Sequence, residues 1–358
     1  MLQMSSSTTT AASQAQNRIR VAAFTGGQYI SSRRFRLEQY IPVLRQGGVD
    51  VTEYIARFGS WPPRGNALRP FWLVGTVLQR IQGVMNSHAC DLTLLQREMV
   101  STLLTLERFV KEPRVLDIDD AVWLNKGAAR NFRSLARMCN GVICGNSFIA
   151  EYMQALNNNL LVLPTAVDTH RFHPGDNASE LAGKQVIGWS GLNAGFKYVT
   201  AIEPALAEVL RKRKNAVLRI VSDVQPRFNL IAADRVEFVR WSPDNEVATI
   251  RSMNVGLMPI DDSVWSKGKC SYKMLLYMAC GLPVVVSPYG MNGEVLLKGR
   301  IGLGACSLEE WTDSILWILD NPQDGRIMGA AGRQVVMEHY SLERLAPQLI
   351  SFLRSFVQ

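Results

Sequence analysis

Two lysines four positions apart, Lys269 and Lys273, flank Ser271, a serine placed to cap a predicted helix over residues 272–280. Gly281 closes that helix, and Pro283 opens a buried strand through Val284 to Ser287. Positive charge at a helix start is disfavoured by the peptide dipoles, by about 0.3–1 kcal/mol per charge. An anion there would reverse the balance. A helix N-terminus with unpaired N–H groups plus two lysines makes a cradle for a diphosphate. The other reading of the same positions is that both lysines extend along their aliphatic stems into solvent.

A second cluster of reactive types is Asp117-Ile-Asp119-Asp120. Carboxylates after a strand can bind hydroxyls or take a proton from one. They can equally cap the loop and hold Arg34 or Arg36 in ion pairs. Read as a metal site for a diphosphate, the cluster would duplicate positive charge that the lysines and the helix start already supply, so no metal is expected. Gly26 and Gly27 follow the first predicted strand, where glycine permits either close approach to a ligand or simply a tight turn. Neither a Ser/His/Asp nor a Cys/His arrangement is suggested. The six cysteines form no Cys-x-x-Cys pair, and there are four histidines, which reads as reduced, buried thiols.

These residues need a frame that places them at strand ends. Short apolar runs at Ile19 to Phe24, Leu92 to Leu95, Val115 to Ile118, Val142 to Cys144 and Leu160 to Leu163 alternate with helix-length segments. A second series follows: Val186 to Trp189, Val217 to Val221, Val236 to Val239, Val255 to Pro259 and Val284 to Ser287. The clearest helix among them runs from Val199 to Leu210. Such alternation predicts α/β structure, two Rossmann-like doubly wound domains facing each other across a cleft. The expected division is a disordered tail at 1–17, an N-terminal domain at 18–168 and a linker at 169–184. A C-terminal domain follows at 185–340, then a helix at 341–358 packing back on the N-terminal domain. Ser307-Leu-Glu-Glu310 is a capping box, opening a helix with Trp311, Ile315 and Ile318 on one face.

With 358 residues, 47% hydrophobic, two ordinary cores can be buried. The formal charge of +8 favours an anionic partner. The basic residues are scattered and no nucleic-acid module is evident, so nucleic acid is not expected. No signal peptide and no membrane-spanning run is read, which predicts a cytoplasmic protein, with room for peripheral contact at the inner face of the membrane.

The pattern Lys269-x3-Lys273-x3-Tyr277-Met-Ala-x-Gly-x-Pro-Val-Val, then Ser287-Pro-x-Gly290-x-Asn292-x-Glu294, resembles the retaining glycosyltransferases of GT-B fold. That is the family called glycosyltransferase group one (family 4-like), here in a branch with two lysines. The resemblance continues through Arg34-Phe-Arg36, Asp117 to Trp123, Gly141 to Asn146, Val162 to Asp168 and Ile187-Gly-Trp-Ser-Gly191. It implies a hexosyltransferase that takes its sugar from a nucleotide-diphosphate donor bound against the C-terminal domain. The acceptor, a glycan or lipid-linked hydroxyl, would lie against the N-terminal one, with no cofactor. By the same resemblance Gly26, Gly27, Ser190, Gly191, Lys197, Lys269, Lys273, Asn292 and Glu294 would contact the donor. Asp119 and Asp120 would serve catalysis, and Arg34 and Arg36 the acceptor side. The family's habits imply bacterial surface polysaccharide or glycan synthesis. Gly268 and Leu276 stand where the broader family carries two glutamates. That departure motivates a non-catalytic nucleotide-sugar-binding or scaffolding protein as the alternative. A nucleotide-sugar epimerase is a further rival on two Rossmann domains.

Overall fold

The computed structural model describes residues 18–28, 30–59, 61–63, 65–175 and 183–357. The tail expected at 1–17, and residues 176–182 of the expected linker, lie outside them. The described residues divide into two compact units, one reaching to Ala166 and resuming at Leu345, the other Val167–Arg344.

The first unit is built on six parallel strands, β1 (Ile19–Thr25), β2 (Val49–Ile55), β3 (Leu92–Gln96), β4 (Arg114–Ile118), β5 (Gly141–Cys144) and β6 (Leu160–Val162), in the order β2-β1-β3-β4-β5-β6. Val21 of β1 registers with Val51 of β2 on one side and Leu92 of β3 on the other. β3 is buried throughout and β1 everywhere but at Arg20, as strands covered by helices on both faces must be. Among its helices are α1 (Ser31–Arg36), α2 (Ile41–Gln46), α3 (Arg69–Ser87), α4 (Ala129–Met138) and α5 (Ser147–Met153).

The second unit repeats the scheme with β7 (Gln185–Ser190), β8 (Ala216–Ser222), β9 (Val236–Arg240), β10 (Val255–Met258), β11 (Val284–Val286) and β12 (Gly302–Gly304). Their order is β9-β8-β7-β10-β11-β12, all parallel. Its helices are α6 (Phe196–Ala201), α7 (Glu203–Lys212), α8 (Glu246–Arg251), α9 (Val264–Lys267), α10 (Tyr272–Ala279), α11 (Met291–Leu296), α12 (Leu308–Asp320) and α13 (Pro322–His339). The helix predicted from Val199 to Leu210 is therefore two helices broken at Ile202. Pro204, in the first turn of α7, brings no N–H to continue α6. The core holds Trp189, Leu206, Leu218, Leu257, Val285, Trp311 and Ile315. The capping box at Ser307 and Glu310 forms as predicted, a contribution of about 1 kcal/mol to the start of α12.

The last helix, α14 (Leu342–Arg354), buries Leu345, Leu349 and Leu353. Ile350 abuts Gly47, the rings of Phe352 and Phe356 abut Gly141, and Arg354 donates to the Gly47 carbonyl at 2.9 Å. Core packing is what its apolar stripe does.

Candidate functional site

In an open parallel sheet the place for a ligand is outside the carboxyl ends of two neighbouring strands whose connections leave in opposite directions. In the second unit those strands are β7 and β10, and β7 ends at Ser190-Gly191. The buried N–H of Ser190 donates to the Tyr277 hydroxyl at 2.7 Å, tying the end of β7 to α10. Tyr277 lies across Gly256 of β10, whose missing Cβ makes room for the ring. Burial pushes that phenol well above its ordinary range, so it acts as a neutral hydrogen-bonding post.

The second residue of α10 is Lys273. Its Cε occupies the space that a Cβ on Gly191 would take, and its ammonium stands 5.8 Å from the centre of the Trp189 ring. The structure thus brings Ser190, Gly191 and Lys273 together at one strand end. Lys269, half-buried, sits 5.5 Å from the Trp265 ring. Between the two lysines Ser271 is not the side-chain cap the sequence suggested. It occupies the cap position in a left-handed conformation, φ 50°, and its hydroxyl caps nothing. That conformation is costly for a residue with a Cβ, and such strain concentrates where backbone N–H groups are aimed at a ligand.

Lys197 is exposed and leans on its neighbour Tyr198, 4.6 Å from ring to ammonium. Tyr198 meets the Ser266 hydroxyl at 3.1 Å, and Ser266 in turn hydrogen-bonds Asp261. Burial works against ionisation of Asp261, but hydrogen bonds from Ser263 and Ser266 and the Lys197 charge outweigh it, holding the carboxyl below its usual range. Sequence reasoning missed Asp261 and Tyr198, because nothing local marks either.

Asn292 is fully buried and fastens two strand ends, donating to the carbonyls of Ser287 at 3.0 Å and Met258 at 3.3 Å. Glu294, two residues on and about half a turn round α11, is exposed. Gly290 before them has φ 53°, and a Cβ there would lie 2.9 Å from the Cα of Lys267, so only glycine lets this loop cross the segment leading to Lys269. Gly268 and Leu276 are buried, which leaves both glutamate positions of the broader family without a carboxylate.

In the first unit the corresponding place lies between β1 and β3. Gly26 and Gly27 end β1, and a depression there is lined by Gly26, Ser32, Gln96, Arg97, Glu98 and Asn125. Arg97 has φ 63° and turns its guanidinium to the end of β4, where it binds Asp119 through Nε at 2.9 Å and Asp120 at 2.8 Å. Burial opposes ionisation of Asp119, but the charges of Arg97 and Arg36 outweigh it and keep the carboxyl below the usual range. Arg36, 6% exposed, forks onto Asp117 at 2.5–3.0 Å and reaches the Leu163 carbonyl at 3.0 Å. Of the ion pairs left open by the sequence, Asp117 takes Arg36, while Asp119 and Asp120 take Arg97, a residue that no local motif marks. Arg34 stacks on the Phe35 ring at 4.6 Å. Burial raises the pKa of Glu98, against the pull of Arg97. Among the described residues no three His, Cys, Asp or Glu side chains gather as a metal cage.

Residues 185–321, the segment that carries Gly191, both lysines and Glu294, match the family model Glycosyl transferases group 1. The second unit holds a glycosyl transferases group 1 domain. The chain as a whole has the GT-B fold, as solved structures of low sequence identity show. Sucrose-phosphate synthase from Thermosynechococcus elongatus is similar with a TM-score of 0.71 at 16% identity, over 94% of this chain and 99% of that one. HepE from Anabaena, in complex with UDP and glucose, gives 0.70 at 15%, over 94% and 100%. WaaG, a glycosyltransferase involved in lipopolysaccharide biosynthesis, gives 0.67 at 14%, over 93% and 99%. No curated protein matches the chain by sequence.

Proposed function

We propose that this glycosyltransferase moves a hexose from a nucleoside-diphosphate donor to a hydroxyl of a glycan or lipid-linked acceptor, with retention and without a metal. The observation that carries the reading is Lys273 laid over Gly191 at the switch-point end of β7, one residue inside α10. When a glycosyl–phosphate bond breaks, negative charge grows on the departing diphosphate and positive charge on the anomeric carbon. Lysines and a helix N-terminus already in place stabilise the first without reorganising. The acceptor hydroxyl needs only to be held close to the second. Asp119, held low by Arg97 and Arg36, serves as a fixed hydrogen-bond acceptor for sugar hydroxyls better than as a base at neutral pH, and Asp120 is held beside it by the same Arg97 guanidinium. HepE was solved with UDP-glucose, which makes that donor the first to try. The role of WaaG in lipopolysaccharide biosynthesis supports a place in surface-glycan synthesis.

Calorimetric titration with UDP, GDP, ADP and TDP, each with and without a chelator, tests this. One nucleotide binds selectively and metal-free, and Lys269→Ala or Lys273→Ala weakens it by about 1–3 kcal/mol. Absence of binding by all four overturns the donor site. The second reading, a nucleotide-sugar binder without turnover, rests on the missing carboxylates at Gly268 and Leu276. Release of nucleotide in the presence of any donor and acceptor pair excludes it.

A further inference from the structure

Helix α3 is built the wrong way round for a helix on a protein in water. Its side chains at Phe71, Val74, Leu78, Ile81 and Met85 are exposed, Phe71 at 78%, Leu78 at 60% and Met85 at 69%. At 3.6 residues per turn they fall within about 80° of arc, a continuous apolar stripe three turns long or more. The charged residue of the helix interior, Arg80, points the opposite way. It is 2% exposed and gives its guanidinium to the carbonyls of Tyr54 at 2.5 Å and Thr25 at 2.6 Å. The apolar surface continues off the helix onto a loop tied to it. Trp72 donates to the Phe58 carbonyl and the Arg57 N–H to Gln79, and from that loop Phe58 and Trp61 are both more than half exposed.

Charge chooses the occupant. Between Glu53 and Asp91 the chain carries no acidic residue, and two arginines of that segment are exposed, Arg57 next to Phe58 in the loop and Arg69 at the start of α3, where its Nε donates to the Pro63 carbonyl at 3.2 Å. Arg69 is the first residue of α3, whose opening turn has no acidic side chain, so the helix dipole calls for an anion there too. Two copies packed on this face would bring these like charges together without an acidic residue to offset them; an anionic lipid surface would neutralise them. No helix among the described residues is long and apolar enough to cross a membrane. We infer that α3 and the loop before it form an in-plane docking surface for an anionic bilayer, the apolar stripe entering the acyl boundary and Arg57 and Arg69 meeting headgroup phosphates.

The test is co-sedimentation of the full chain with vesicles of phosphatidylcholine alone or with about one third phosphatidylglycerol. The protein pellets with the anionic vesicles, added salt weakens this, and pure phosphatidylcholine retains little. Leu78→Glu, at an exposed position, lowers the bound fraction about tenfold or more, because a charge is driven into the acyl boundary, while nucleotide binding by calorimetry is unchanged. A wild-type chain that stays in the supernatant with both vesicles overturns the inference. So does a wild-type dimer in light scattering that Leu78→Glu makes monomeric without any vesicle binding, which would assign the stripe to a second copy.

Discussion

Lys273 fills the space above Gly191 that any larger residue at position 191 would claim, so the end of β7 and the start of α10 are fitted to each other at a single methylene. A Cβ at 191 would also lie 2.8 Å from the Trp189 ring, which is buried and cannot yield. Gly191→Ala therefore displaces the lysine and strains the tryptophan. Thermal unfolding should show a loss of about 1–3 kcal/mol, and calorimetry about tenfold weaker nucleotide binding. Normal affinity in a destabilised protein would separate the lysine from the diphosphate.

The strained turn at Ser271 gives a paired prediction. Ser271→Gly relieves φ 50° and is neutral or stabilising by up to about 1 kcal/mol, whereas Ser271→Val costs about 2 kcal/mol because a β-branched residue tolerates that region worst. Denaturant midpoints compare the two. In the Val variant the entry to α10 is disturbed and nucleotide affinity falls with stability.

Arg36 and Asp117 form an interior ion pair, with side chains 3% and 5% exposed. Arg36→Met leaves a buried carboxylate without its partner and should cost about 3–5 kcal/mol in urea unfolding, while adding Asp117→Leu recovers most of the loss. Equal instability of single and double variants would mean that the Arg36 bonds to Leu163 and Thr165, rather than the charge, hold this end of the sheet.

Acid should loosen the first unit through Asp119. Its folded pKa lies below its unfolded value of about 3.9, so the stability it contributes is complete above that value and is lost as pH falls through the folded pKa. Arg97→Gln removes that contribution. Wild type and variant should differ in unfolding free energy at pH 7 and converge as the pH falls through the folded pKa of Asp119. Parallel curves over that range would show that Arg97 does not set the carboxyl.

Reading depended on how local the cause was. The switch-point strand β7, α10 and the lysines at its start were legible because a helix start, a closing glycine and an apolar run each announce themselves within a few residues. β2 was not, since Val49-Asp-Val-Thr-Glu-Tyr-Ile55 alternates apolar and polar side chains at the edge of its sheet and lacks the continuous run its neighbours show. β12, three residues containing two glycines, is a strand because β11 supplies its hydrogen bonds, not by its own propensity. Arg97 escaped for a different reason. Its partners Asp119 and Asp120 lie on the next strand's end, a neighbourhood that exists only once β3 pairs with β4. The segment of α3 carried no expectation, and its exposed face is visible only in the fold, since apolar residues at helical spacing look the same in sequence whether they meet a core or solvent.

The chain leaves the first unit at Ala166 and returns at Leu345, and the returning helix brings Ile350, Phe352 and Phe356 to Gly47 and Gly141. During synthesis, then, the first unit is begun before the second and completed after it. The second unit has all of its strands and helices on emergence, while β5 and α2 of the first wait, with apolar surface uncovered, until α14 has left the ribosome.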